Sequence, residues 1–496
     1  MAVMRYLLGL DIGTSGCKAT VFNELGEFCC SSYREYPTEN YDGRIDAGLV
    51  WEKVKEVMAE CAACYSEIDA VCTTSFGETV VAVDRNGKVL APAILYTDDN
   101  AAQELSEIES LVGKKRIAEI TGLIAHPMYT ISRLCRMKRY QPEVYENTYK
   151  FLFMASFIEL CMGAGFIAED TLASRSMAYD IRKGEWWAEI LDKTGISMDK
   201  MPKVVKAGDV IGKMPDTICR ELNLKNQPLI IAGGHDQPCV ALGMGAIAGG
   251  DGAYGMGTVE CFTLVMDDYR QTEKMEECHL VCAPHVVPGK YLTYGVLLTG
   301  GVVLKDLRSK LYQKEMWDYN VTGRDVYDIM MEEMPDESSG LLYLPHLAGS
   351  GTPYMDTHDR GGIYGMTLKT TRGELVRAAL EGIAFDIRLN LENMAACALP
   401  VRQIMAGGGG VKSDRGLQVR ADILQREIHA ARDIQAGTRG AFYIAAKAIG
   451  IIENYDVSAS WFEKRDIEPD CKKAESMERQ YHRYLKFHRI VRDLEV

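Results

Sequence analysis

The run Leu7-Leu8-Gly9-Leu10-Asp11-Ile12-Gly13-Thr14-Ser15-Gly16-Cys17-Lys18-Ala19-Thr20-Val21-Phe22 reads as an apolar strand, a tight turn and a second apolar strand. A further turn at Asn23-Glu24-Leu25-Gly26-Glu27 leads into an extended segment from Phe28 to Tyr33. Asp11 closes the first strand. A carboxylate in that place can hold magnesium, directly or through water, while the turn's N–H groups and the Thr14 and Ser15 hydroxyls face phosphate oxygens. Lys18 adds positive charge. On the local pattern alone, a strand-end Asp that caps its own turn is an equal reading.

The same pattern returns later. Pro228 to Ala232 is a buried-strand run ending at Gly233-Gly234-His235-Asp236, and Ala253-Tyr254-Gly255-Met256-Gly257-Thr258 is followed by Cys261-Phe262-Thr263-Leu264-Val265. Strand, Gly-Thr turn, strand thus occurs near residue 14 and near residue 258, which predicts duplicated halves, each with a phosphate-facing turn. Asp236 occupies a second strand end, where a carboxylate can accept the proton of an attacking hydroxyl. Gly407 to Gly410 precedes a helix expected over Ser413 to Leu424, a place where backbone can approach a nucleotide. The spacing matches neither a Rossmann fingerprint nor a Walker A loop, so a nucleotide here needs another architecture.

Between these motifs, the periodicity predicts helices over 50–65 and 374–394, short strands at 70–74 and 80–83, and a mostly helical stretch from 101 to 160 broken near Gly122 and Pro127. The tail after Ser458 reads as a packed terminal helix with Tyr481, Tyr484, Leu485, His488 and Val491 on one face.

With 496 residues, two domains are expected. A formal charge of −14 argues against a nucleic-acid backbone as partner. No apolar run is long enough to span a membrane, and the opening residues lack a signal-peptide pattern. Fifteen cysteines, an odd number scattered along the chain, point to reduced thiols and a cytoplasmic location. Cys61-Ala62-Ala63-Cys64 has redox spacing but falls in a helical pattern and reads as structural. Cys278, His279, Cys282 and His285 crowd together, yet in a strand-like run from His279 to Val287 their side chains would point to different faces.

Taken in order, the motifs resemble the FGGY family of carbohydrate kinases, which includes xylulokinase and glycerol kinase. Leu10 to Gly16 with Lys18 resembles the family's first phosphate motif, Gly233 to Gln237 its catalytic-aspartate motif, and Gly255 to Thr258 its second phosphate motif. Gly361-Gly362-Ile363-Tyr364-Gly365-Met366 with Glu374 to Glu381 fits the C-terminal signature, and Gly408 to Asp414 resembles the adenosine segment. The resemblance implies an α/β fold of two actin-like (ribonuclease H-like) ATPase domains, 1–246 and 247–496, with ATP and Mg2+ in the cleft between them. It assigns Asp11 to the metal and Asp236 to the general base. It places Gly13, Thr14, Ser15, Lys18, Gly257, Thr258, Gly301, Gly408, Gly409 and Ser413 along the nucleotide.

The same resemblance puts the sugar among Phe76, Gly77, Glu78, Asp98, Tyr129, Asp236 and Gln237. Gly77 stands where glycerol kinase has an Arg and Met128 replaces a Tyr, which counts against glycerol. Glu78, Asp98 and Asp99 would face an aldonate such as gluconate unfavourably. The expectation is therefore a kinase for a small neutral sugar or polyol of ketopentose type, with a homodimer as the assembly. An actin-like ATPase or activator, and an idle sugar sensor, are the competing readings.

Overall fold

The computed structural model describes residues 4–36, 43–98, 100–432, 435–461 and 463–494. Asp99 therefore lies outside the described residues. Strand β1 (Tyr6–Ile12) runs antiparallel to β2 (Gly16–Asn23), which pairs with β3 (Phe28–Glu35). Helix α1 (Ala47–Cys64) crosses over to β4 (Ala70–Ser75), parallel to β1. Beyond α2 (Met154–Cys161) come β5 (Val210–Lys213) and β6 (Leu229–His235), and α3 (Asp236–Gly243) leaves the end of β6 without a loop. The strand order is β5-β6-β4-β1-β2-β3. β1, β4 and β6 are parallel and central, so both of their faces are covered and they read as continuous apolar runs; every residue of β4 is buried.

The second half repeats this. Strands β7 (Asp251–Met256), β8 (Glu260–Met266), β9 (Ala283–Pro284) and β10 (Tyr291–Leu297) are followed by helices α4 (Gly301–Leu311) and α5 (Arg372–Ala396). Then come β11 (Gln403–Gly407), α6 (Asp414–Leu424), β12 (Ile428–Ala431), α7 (Ala436–Ala448), β13 (Lys464–Ile467) and α8 (Ala474–Leu494). The order β9-β10-β8-β7-β11-β12-β13 corresponds to the first sheet read from its other edge, β3-β2-β1-β4-β6-β5, with β9 added and with the outermost strand following its neighbour in the chain instead of preceding it. The parallel and antiparallel pairings match as well. The duplication inferred from two Gly-Thr hairpins is a duplication of the whole sheet.

Helix α5 begins with a capping box. Thr371 Oγ1 accepts from the Glu374 N–H, and Glu374 Oε2 accepts from the Thr371 N–H at 2.7 Å. Two local readings need correction. The stretch 101–160 includes a strand, Lys150–Phe153, paired with Val80–Val83 outside both main sheets. The expected strand over 279–287 shrinks to the two residues of β9: His279 adopts a positive φ of 52° at one end, and a turn in which the Lys290 N–H donates to the Val287 carbonyl at 3.2 Å closes the other.

Helix α7 belongs to the second half in sequence but packs against α3 and against β1, β4 and β6 of the first sheet. Every residue from Gly437 to Ala446 is buried, as a helix enclosed on all sides requires. The crossing with α3 rests on two glycines. A Cβ on Gly440 would overlap the Cys239 carbonyl, and one on Gly243 would overlap that of Ala436. Because the obstacles are backbone atoms, Gly440→Ala is expected to destabilise the fold by about 2–3 kcal/mol, read as a lower urea midpoint. An unchanged midpoint would show that the helices can separate without loss.

Candidate active site

The end of β6 is fixed from three sides before Asp236 begins α3. Glu169 Oε2 accepts from the Thr171 hydroxyl at 2.6 Å, and Thr171 Oγ1 in turn accepts the His235 N–H at 2.8 Å. Thr74 Oγ1 donates to the Gly234 carbonyl at 3.0 Å. Gly233 has no room for a side chain, since a Cβ there would strike the Thr73 carbonyl. The Asp236 carboxylate lies 3.1 Å from His235 Nε2. Burial pushes its pKa up to about 8, Asp11 and Glu78 push in the same direction, and the Gln237 N–H and Arg175 oppose them. A carboxylate poised near neutrality is suited to proton transfer.

Asp11 faces Lys18 across the β1–β2 ladder. Burial raises its pKa to about 6, and Lys18 lowers it. The start of α7 closes over it: a Cβ on Gly437 would overlap Asp11 Oδ2. The Gly13–Gly16 turn is closed by the Gly13 N–H donating to the Gly16 carbonyl at 2.9 Å, with Thr14 half-buried and Ser15 exposed.

Around Asp236 lies a second group. Glu78, held at a positive φ of 59°, is buried and paired with Arg175, whose Nε and Nη2 reach Oε1 at 2.6 and 2.5 Å. Arg175 also lies over the Tyr129 ring at 5.3 Å and the Tyr294 ring at 5.8 Å. Its side chain crosses the space above Gly77, where a Cβ would come within 2.8 Å of Arg175 Cγ. Tyr96 is pushed up to about 12 by burial, with Asp236 and Glu78 adding to the shift. Arg133 is lowered to about 10 by burial, while Glu78 and Asp98 oppose that, so both carboxylates lie within its field. Phe76 is buried behind Glu78, its N–H donating to the Ile12 carbonyl at 3.2 Å.

A cavity of about 540 Å³ opens in the second half, lined by Gly257, Thr258, Gly301, Gly409, Lys412 and Ser413 among others. The β7–β8 turn docks on the start of α4: Gly301 N–H donates to the Gly257 carbonyl at 2.9 Å, and Val302 N–H to that of Thr258 at 3.1 Å. Gly408 has φ 90°, and a Cβ there would lie 2.7 Å from the Met256 carbonyl, so glycine is needed for the approach of the two strands. Ser413 Oγ caps α6 by accepting from the Gly416 N–H at 3.1 Å. The cavity floor is a buried network in which Arg420 Nη2 meets Glu260 Oε1 at 2.7 Å and Tyr254 donates to Glu260.

Family models for the FGGY family of carbohydrate kinases match residues 6–243 (N-terminal domain) and 252–449 (C-terminal domain). The chain belongs to this family. It is a carbohydrate kinase with the two-domain actin-like fold. The xylulose kinase of Bacillus subtilis (strain 168) is 26% identical over 467 residues, 92% of this chain and 91% of that protein. The gluconokinase of the same organism is 25% identical over 461 residues, 91% of this chain and 89% of its own length. The solved structure of a ligand-bound xylulose kinase from Lactobacillus acidophilus superimposes with a TM-score of 0.87 at 23% identity, covering 98% of each chain.

Within this kinase some of the expected residues gather in two places, whereas Gly13, Thr14, Ser15, Lys18 and Gly408, expected along the nucleotide, do not line the cavity. Asp11, Glu78 and Asp236 share one electrostatic environment. Gly257, Thr258, Gly301, Gly409 and Ser413 line the cavity. Sequence reasoning missed Arg175, Tyr294, Arg133 and Arg420. Arg175 ends the short helix Asp170–Ser174 and nothing local marks it; the one available signal is Gly77, whose absent side chain makes the room. Cys278, His279, Cys282 and His285 diverge: His279 Nδ1 meets the Pro353 carbonyl at 2.7 Å, and His285 Nε2 that of Ala246 at 3.1 Å. All fifteen cysteines are free thiols. No helix among the described residues is long and apolar enough to cross a membrane.

Proposed function

We propose that this kinase transfers the γ-phosphoryl group of ATP to a hydroxyl of a small neutral sugar or polyol of ketopentose type, with Asp236 as general base. The observation that carries the reading is the Asp236 carboxylate held near neutrality at a helix start, beside Arg175 and Glu78. The sugar oxygen forms the new bond to phosphorus, ADP departs, and the hydroxyl proton passes to Asp236. Glu78, Tyr96 and Tyr129 supply acceptors and a wall for the sugar. Arg175 Nη1 is a buried donor without a protein partner, available to a substrate oxygen.

The 540 Å³ cavity has the size of a small-ligand site, and glycines at 257, 301 and 409 let backbone approach a nucleotide. Asp11 fits Mg2+ because burial already raises its pKa to about 6 and only Lys18 offsets that cost. Held there, directly or through water, Mg2+ would supply charge neutralisation at the phosphates. An aldonate is the second reading, favoured by Arg175 and Arg133 on the sugar side. Against it, Glu78, Asp98, Asp236 and Asp11 outnumber the cations there.

An ADP-release assay with ketoses, polyols and aldonates distinguishes these readings. Ketopentose-dependent turnover is expected, whereas dominant turnover without sugar would overturn the proposal. The free-enzyme profile supplies a second check. Since the base must be ionised and its pKa is pushed up to about 8, kcat/KM should climb as pH rises toward that value. A profile flat from about pH 5 to pH 8 would remove Asp236 from the base role.

A further inference from the structure

Away from the sugar and nucleotide sites, His346, Asp359 and His488 bring three ligand atoms within 4.8 Å of one another. The residues are 3%, 3% and 2% exposed. His346 Nδ1 is 4.0 Å from Asp359 Oδ2, and His488 Nε2 is 3.8 Å from the same oxygen. These three atoms have no protein hydrogen-bond partner. Buried polar atoms are rarely left so, and here three converge on one point.

The surrounding groups orient these ligands. His346 Nε2 lies 2.9 Å from Asp386 Oδ2, and Asp386 Oδ1 accepts from the Tyr484 hydroxyl at 2.7 Å. With Asp386 as acceptor, the proton of His346 sits on Nε2 and the Nδ1 lone pair faces the cluster. Tyr354 packs edge-on against the His488 ring at 4.8 Å. Arg492 takes the other oxygen of Asp359, its Nε 3.4 Å from Oδ1, and leaves Oδ2 to the cluster.

We infer that His346, Asp359 and His488 form a site for a divalent transition metal of the zinc class. Two imidazoles and one carboxylate are the donor set such ions take, whereas Mg2+ and Ca2+ favour oxygen alone. Metal–ligand bonds of about 2.0–2.2 Å bring ligands closer than they stand here, so binding draws the three side chains inward by a fraction of an ångström. Two ligands come from the loop after the strand Leu342–Leu344 and the third from α8. The ion therefore joins the terminal helix to the body of the second half. The site is independent of the proposed sugar chemistry.

The test titrates ZnCl2 into EDTA-treated full-length enzyme against a chromophoric chelator and records the zinc X-ray absorption spectrum. One zinc per chain is expected, with imidazole and oxygen ligands, no sulfur, and a raised Tm. His346→Gln and His488→Gln each remove a direct ligand and should weaken binding by more than the about 10- to 100-fold that loss of an outer-shell partner costs. His429→Asn should leave it unchanged, which controls for the exposed Glu427–His429–Asp466 group. Absence of stoichiometric binding, thiolate sulfur around the zinc, or affinity that moves with His429 would overturn the inference. If the His346 and His488 variants do not fold, the wild-type spectrum and stoichiometry decide it.

Discussion

Asp236→Asn is expected to lower kcat by about 10²- to 10⁴-fold with little change in sugar KM, while raising Tm at pH 8. The loss of rate follows from the removal of the proposed base. The gain in stability follows from burial. The folded-state pKa stands at about 8 against the ordinary 3.8, so between those values the native chain keeps a proton that the unfolded chain has released. The stability contributed by this group is therefore full below pH 3.8 and is lost as pH rises toward 8. An amide carries no such loss. Scanning calorimetry at pH 8 should show the variant more stable by a few degrees, with the gap closing near pH 4. A gap that is the same at both values would mean that desolvation does not act on this carboxylate.

Arg175→Met should produce the largest loss of stability near the site. The guanidinium is buried against Glu78 and two tyrosine rings, so its removal leaves Glu78 enclosed without its partner. Breaking a buried pair from one side costs about 3–5 kcal/mol, and urea unfolding should show a shift of that size. The double variant Glu78→Gln/Arg175→Met should recover much of it, because no isolated charge then remains. Sugar KM should stay raised in both, since neither restores the donor and acceptor. Full recovery of KM in the double variant would place the sugar away from this pair.

Much of the fold was legible because it depends on local chemistry. The hairpin around Gly13 to Gly16 and its echo around Gly257-Thr258 require turn residues between apolar strands, and both appear as read. Helix α5 is marked by its apolar periodicity over 374–394, which does not register the capping box of Thr371 and Glu374 that starts it earlier. The terminal helix buries Tyr481, Tyr484 and His488 on the face its periodicity marks. Other features depend on partners distant in sequence. Arg175 gains its meaning from Gly77, about a hundred residues upstream, and His346 from a helix near the chain's end. Helix α7 carries no comparable mark, because it opens on Ala436-Gly437-Thr438-Arg439-Gly440, whose two glycines and small side chains weaken the helical signal.

The placement of α7 has a consequence for synthesis of the chain. Leu7, Phe22, Ala70, Cys72 and Ile231 form one cluster with Phe442, Tyr443 and Ile444. Strands β1 to β6 end at His235, but the helix that covers this face begins about two hundred residues later, at Ala436. Until then the first half exposes an apolar surface, and it can mature only by waiting for, or being shielded until, residues 436–448 arrive. A fragment ending at residue 246 would hold every strand of its sheet and still lack its cover. Such a fragment should aggregate when expressed alone and become soluble when residues 436–448 are supplied with the rest of the second half.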